Sequence, residues 1–227
     1  MGIALKRAIE LIFSGDFILY DILWTTLRMS IVSSVISLLI GIVIGVIYGA
    51  VSFKGKKFLI ILNRTLMGLP PVVCGLFCFM LFCGVGPLRH LHVLYTVTGM
   101  IIAQIILITP IVIGVIEPYI KKVFPDIRET CIGLNIGKLK TFTLILNESK
   151  YQIITSYLFA FSRAIAEVGA VSMVGGAIMF KTNVMTTAIM NYTNMGNFEM
   201  ALALGIILLI LSFIVNCAVA LFVDRKD

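Results

Sequence analysis

Arg163 and Glu167 are the two charges in an otherwise uncharged stretch, Tyr151–Phe180. Four residues apart on a helix, they share a face and can pair. The arginine-first order is the weaker one for such pairs, so helix stability alone does not explain them. Arg163 stands 12 residues past Tyr151, near the middle of a stretch long enough to cross a membrane. A charge at that depth costs about 3 kcal/mol on insertion scales, so it must face protein or water. Two chemistries fit: a clasp that locks this helix to its neighbours, or positive potential on the path of an anion. Gly169, Gly175 and Gly176, with Ala160 and Ala164, permit close helix approach around the pair.

The other chemistry-bearing residue types offer less. Cys74 and Cys78 share a helix face at i,i+4; with Cys83, Cys131 and Cys217 they read as small packing residues. His90 and His92 alone make a poor metal site. No nucleophile–base pairing, phosphate loop or dinucleotide fingerprint is visible. Catalysis, a bound metal and a cofactor are therefore not expected of this chain, and any energy from ATP must arrive through another one.

The elements that position the pair follow from where charges are missing. Of 227 residues, 60% are hydrophobic and 13% charged, and the mean hydropathy is +1.09. No soluble fold of this size hides that much apolar surface. Four runs lack Asp, Glu, Lys, Arg and His: 29–53, 65–88, 93–116 and 200–223. Runs of this length reach about 36 Å as helices, enough for a hydrocarbon core of ~30 Å. With the stretch holding Arg163, the pattern predicts five transmembrane helices, at about 22–51, 64–85, 94–117, 151–175 and 200–223. Residues 1–227 form one all-α polytopic membrane domain on this reading. Pro70 and Pro71 are expected to kink the second span near its middle, and Gln104, Thr109 and Pro110 give the third a polar or bent character.

Orientation follows from the cations. Twelve of the 18 Lys and Arg fall after the first and third spans or after the fifth; Arg225 and Lys226 are the last two of them. The opposite side has Lys6, Arg7, Arg89 and Lys181. The N-terminus is therefore expected outside and the C-terminus in the cytoplasm, in contact with membrane lipid throughout. The net charge of +7 records topology; no basic stripe interleaved with aromatics points to nucleic acid. Residues 1–17 read as an amphipathic surface segment rather than a signal peptide, since only Ala8–Phe13 is apolar and Glu10 interrupts it. No cytoplasmic sensing domain is expected after the last span.

Two loops need structure of their own. Residues 118–150 are too long for a passive turn. Pro125 and Asp126 look like a helix start; Ile127, Cys131 and Leu134 are its apolar set. Asn135–Gly137 suit a left-handed break, and Leu139, Phe142, Leu144 and Ile145 form a second apolar set. Two short helices here make either a docking knob or a plain surface hairpin. Residues 177–199, on the outside, include Thr182–Ile189, half apolar and too short to span, which fits a re-entrant or interfacial turn, a binding-protein dock, or a plain connection.

The first loop resembles the EAA loop of ABC-transporter permeases, which has a Glu, two small residues, a glycine six after the Glu, then an apolar stretch. Glu129, Thr130 and Cys131 match its opening. Asn135 stands where the family has glycine, and Asn147–Glu148 where many members have Leu-Pro. Arg163-Ala164-x-x-Glu167-x-Gly169-Ala170 is similar to a stretch of oxyanion permeases for tungstate, molybdate and sulfate. The wording through Gly176, with 182–189 and 197–205, is most similar to the tungstate branch.

The resemblance implies a type I ABC importer fold of five helices with 118–150 as coupling loop, Glu129, Thr130, Cys131, Asn135 and Gly137 carrying the coupling. It implies a homodimer, two copies of an ATP-binding subunit holding ATP and Mg, and an external substrate-binding protein. The implied cargo is tungstate, then molybdate. Rival readings are another anion such as sulfate, or an ATP-independent channel or secondary transporter. Five spans without a visible inverted repeat, and a cytoplasmic loop with no task, count against the channel and secondary-transporter readings. An intramembrane enzyme would need a catalytic constellation in the spans, and none is seen.

Overall fold

The computed structural model describes residues 2–223; Arg225 and Lys226 lie outside the described residues. Among the described residues there are ten α-helices and a short 3-10 turn at Arg89–Leu91. Two of the helices are much longer than a bilayer requires: α2 (Phe17–Ala50) and α5 (Val97–Gly133). At 1.5 Å per residue, the 37 residues of α5 reach about 55 Å.

α2 and α5 are joined by a small-residue seam. On α2, Ser33, Ser37, Gly41, Gly45 and Gly49 recur every fourth residue, so they form one ridge. Gly41 meets Val112, Gly45 meets Ile116 and Gly49 meets Ile120. Residue numbers rise together along both helices, so the two run parallel. A Cβ on Gly45 would stand 2.8 Å from Ile116 Cγ2, which is why no larger residue fits. Without a hydrophobic driving force between helices in lipid, such close approach is what holds them.

The structure revises three sequence expectations. The second span, expected over 64–85 with a kink, is divided between two helices, α3 (Lys56–Met67) and α4 (Pro71–Phe82), turned 101° from each other. The prolines end one helix and begin the next: Pro70 is extended, and Pro71 opens α4, where its missing N–H costs nothing. The fourth span divides into α7 (Lys150–Ile165) and α8 (Gly169–Gly175), bent by 59°. Pro125 does not start a helix, because α5 runs through Pro110, Pro118 and Pro125 without a break. Phe124 and Ile127 pack on the main core beside Pro125, and this tertiary contact outweighs the lost backbone bond.

Three helices, Phe17–Ala50, Val97–Gly133 and Phe198–Leu221, are each long and apolar enough to cross a membrane, and the two bent pairs raise the number to as many as five. α7 packs on α2, α5 and α10 (Phe198–Val223), while α8 lies against α4. The segment 1–17 contributes α1 (Gly2–Phe13), which buries Ala8 in a cluster with Met200, Ala203 and Leu204 of α10. Arg7 pairs with Glu199 of α10 at 2.8 Å. Between α8 and α10 lies α9 (Met185–Asn194).

Candidate functional site

Arg163 near the end of α7 and Glu167 in the break between α7 and α8 come together. Arg163 Nη1 stands 3.1 Å from Glu167 Oε2. The arginine side chain is 38% exposed and the glutamate side chain 3%. Glu167 has further partners. Its Oε1 accepts from the backbone N–H of Ala170 at 3.2 Å, in the first turn of α8. Its carbonyl accepts from the hydroxyl of Thr186 at 2.8 Å. One residue therefore ties α7, α8 and the 177–199 segment, and its carboxylate opposes the positive charge that Arg163 brings into the apolar stretch.

The glycines around the pair act by close approach. A Cβ on Gly169 would meet Val72 Cγ2 at 2.8 Å, and one on Gly175 would meet Met100 Sδ at 2.7 Å. Gly176 ends α8 at φ +71°, a left-handed backbone that L side chains rarely adopt. The segment 177–199 folds back against the helices after it. The Thr182 hydroxyl donates to Gly175 O at 2.7 Å, and Met185, Thr187 and Ala188 are fully buried. The N–H of Met185 donates to the Thr26 hydroxyl on α2 at 2.9 Å.

The second candidate group lies far along the chain, at the other end of α5. Glu129 and Thr130 are exposed on its last turns, while Cys131 is buried. The helix stops in a Schellman motif: Ile136 N–H donates to Cys131 O at 2.8 Å, and Asn135 N–H to Ile132 O at 3.1 Å. Asn135 takes the left-handed position at φ 51°, the place glycine usually fills. Gly137 is extended at φ −70°, ψ 159°, preceding α6 (Lys138–Glu148), and a Cβ there would meet nothing within 4 Å. The break therefore depends on Asn135 and leaves Gly137 sterically free. α6 folds back on α5 through buried Ile145. At the tip, Ile132, Leu134 and Leu139 are 68%, 69% and 86% exposed. Such a patch beside Arg128, Glu129 and Lys140 is the surface chemistry of a protein contact.

Residues 37–227 match the family of binding-protein-dependent transport system inner membrane components. The chain belongs to that family. It is 36% identical over 214 residues to the tungstate uptake system permease protein TupB of Peptoclostridium acidaminophilum, covering 94% of each chain. The corresponding protein of Campylobacter jejuni is 36% identical over 215 residues, 93% of this chain and 88% of that one. A probable anion ABC transporter permease of Haloferax volcanii is 37% identical over 179 residues, 77% of each. Sulfate transport permeases are more distant, at 23–28% identity. The chain is thus a multi-pass transport subunit, an inner-membrane permease of the ABC type, and not an enzyme.

Sequence reasoning passed over several residues that hold this permease together. The every-fourth small residues of the α2 seam were a readable signal. Gln104, fully buried, bridges three helices: it accepts from Ser33 Oγ at 2.6 Å and donates to Ala164 O at 2.8 Å, one turn from Arg163 and Glu167. Its position in an uncharged run was visible, but its partners were not. Thr26 and Thr186 carried no sequence signal, since both act through backbone groups brought near by the fold.

Proposed function

We propose that this permease is the membrane subunit of an ATP-driven importer of tungstate, with molybdate the next substrate, and that two copies form the translocation path. The observation that carries the substrate is similarity to tungstate uptake permeases over nearly the whole chain. Each copy crosses the membrane five times, with its N-terminus outside and its C-terminus in the cytoplasm. Lys and Arg asymmetry supports that orientation. Each copy docks one ATP-binding subunit, which holds ATP and Mg, and an external binding protein delivers the anion.

In this reading the exposed tip at Ile132, Leu134 and Leu139 enters the ATP-binding subunit, with Glu129, Thr130, Cys131, Asn135 and Gly137 shaping it. α5 is one uninterrupted helix from that tip back to Val97, and its seam with α2 makes the two move as a unit. ATP binding draws the two tips together, and α2 with α5 rocks against the parts that can bend, the α3–α4 and α7–α8 junctions. Arg163 and Glu167 sit at one of these junctions. The small residual positive potential of Arg163 faces the path, while Glu167 keeps the junction assembled.

Uptake in a strain lacking this chain, restored by it, tests the reading. Labelled tungstate should accumulate, molybdate should compete, and sulfate should compete weakly. Tagged chain should retain an ATPase in mild detergent. Uptake indifferent to ATP, or sulfate competing as well as tungstate, overturns it.

A further inference from the structure

Glu117 is a buried acid that the Arg163–Glu167 site does not use. It stands 5% exposed on α5, at the end of the uncharged run 93–116. Among the described residues no ion pair includes it. A carboxylate taken out of water is costly unless an opposite charge or a hydrogen bond meets it. Lys121, one turn further along α5, is exposed and points to no such meeting: it forms no ion pair among the described residues and is not on the cavity wall beside Glu117.

The group that faces Glu117 comes from α3. The two helices close a cavity of about 10 Å³, room for about one water, with Arg64 and Asn63 of α3, Gly114 and Glu117 of α5 and Tyr48 of α2 on its wall. Of these, Arg64 carries the positive charge and Glu117 the negative one. α3 contains no acid, so Arg64 has no partner on its own helix. Its neighbours hold the same face against α5: Asn63 donates to Pro110 O at 3.0 Å, and the Met67 thioether lies over Gly114. The other side of α3 is open, with Phe58 68% and Ile61 62% exposed. The helix starts after a left-handed Gly55 without a side-chain cap. A helix of 12 residues is marginal by itself, so the face on α5 decides where α3 sits.

We propose that Arg64 and Glu117 form an electrostatic catch between α3 and α5, the guanidinium facing the carboxylate across a cavity in which one water bridges them. Guanidinium donors and carboxylate acceptors both suit such a bridge. The catch fixes α3 on α5 and, through the 101° turn, the direction of α4. It opens from one side: Arg64 is exposed and swings out freely, whereas Glu117 stays buried. The proposal uses the fold alone and none of the transport reading, so either can fail without the other.

Hydrogen exchange of the full chain in nanodiscs, followed peptide by peptide, tests it. Arg64→Gln and Glu117→Gln should each speed exchange of residues 56–67 about tenfold, the loss of one charge-assisted contact in a local opening. The double variant should exchange no faster than either single one, because both remove the same interaction. Arg64→Lys should keep most of the protection. Lys57→Gln and Lys121→Gln should leave it unchanged, and residues 41–49 of the α2 seam should stay protected throughout. Equal exchange in Arg64→Gln and Arg64→Lys overturns the proposal, and this comparison decides even if Glu117→Gln does not fold. So do single effects that multiply in the double variant, or a loss of protection in Lys121→Gln in place of Arg64→Gln.

Discussion

The α2–α5 pair and the α4–α8 pair are both built on glycine, yet they do opposite things. In the first, Gly41, Gly45 and Gly49 repeat along two unbroken helices, so contact is spread over several turns. In the second, Gly75 against Ala170 and Gly169 against Val72 make one tight contact between short helices. Each of those short helices is joined to its neighbour in the chain, α3 or α7, through a bend, of 101° or 59°. A repeated contact cannot slide without losing all its registers together. A single contact beside a bend can act as a pivot. Polar bonds follow the same division: among the described residues the seam has one side-chain bond across it, Ser33 to Gln104 toward its N-terminal part, whereas Arg163, Glu167 and Thr186 bond across the α7–α8 junction.

The sharpest way to break this comparison is to put bulk into the seam. Gly45→Leu drives a side chain into Ile116, whose Cγ2 would be 2.8 Å from the new Cβ. The expected loss is about 3 kcal/mol, the upper part of the range for overpacking. Gly205→Leu on α10, where a Cβ meets nothing within 4 Å, should change stability by less than ~0.5 kcal/mol. Thermal melts of both variants in detergent measure this. Equal melting of the two would mean that α2 and α5 separate freely and do not act as one rigid strut.

The junction should be next. Arg163→Ala abandons the Glu167 carboxyl in a site where it is 3% exposed. The carboxyl keeps its bond from the Ala170 N–H, and losing the other partner of a buried group costs about 2 kcal/mol. Exchanging the two, Arg163→Glu with Glu167→Arg, restores a pair, but arginine cannot accept from Ala170 N–H, so α8 loses its cap. The exchange should therefore recover part of the stability and not all. If both variants melt like the parent and both lose uptake equally, Arg163 acts on the anion rather than on the junction.

The difference between the regions also explains what could be read in advance. Uncharged runs and the Arg163–Glu167 spacing follow from transfer energies, so spans and pair stood out in the residue order. The 101° turn at Pro70 and Pro71 was read as a kink because a proline pair marks a break without giving its angle. Pro125 was read as a start, since local preference favours one; Phe124 and Ile127, packed on the core, carry α5 through it. Gln104, Thr26 and Thr186 act across long sequence separations, and a single chain of letters does not say which carbonyl will lie 2.8 Å away.

α5 extends the seam into the tip, and there the effects become small and local. Asn135 holds a left-handed backbone at φ 51°. Asn135→Val puts a β-branched residue there and should cost about 1 kcal/mol, while Asn135→Gly should be neutral. Chemical denaturation of the two side by side measures the difference. Equal stability would mean that the tip reshapes at no cost, and that its turn is not what positions Leu134 and Leu139.

The smallest effect on stability should come with a large one on function. Glu129 is exposed, and no ion pair among the described residues includes it. Glu129→Lys should therefore move stability by less than ~0.5 kcal/mol. It reverses a charge beside the exposed Ile132 and Leu134, at the surface proposed to enter the ATP-binding subunit. ATP hydrolysis by the complex should continue while uptake falls, because the strut still stands but nothing grips its end. Side-by-side ATPase and uptake rates in proteoliposomes decide it. If both rates stay at the parent level, Glu129 has no part in coupling. If the melt falls as far as for Gly45→Leu, the tip belongs to the folding core, and the division between rigid seam and adaptable end is wrong.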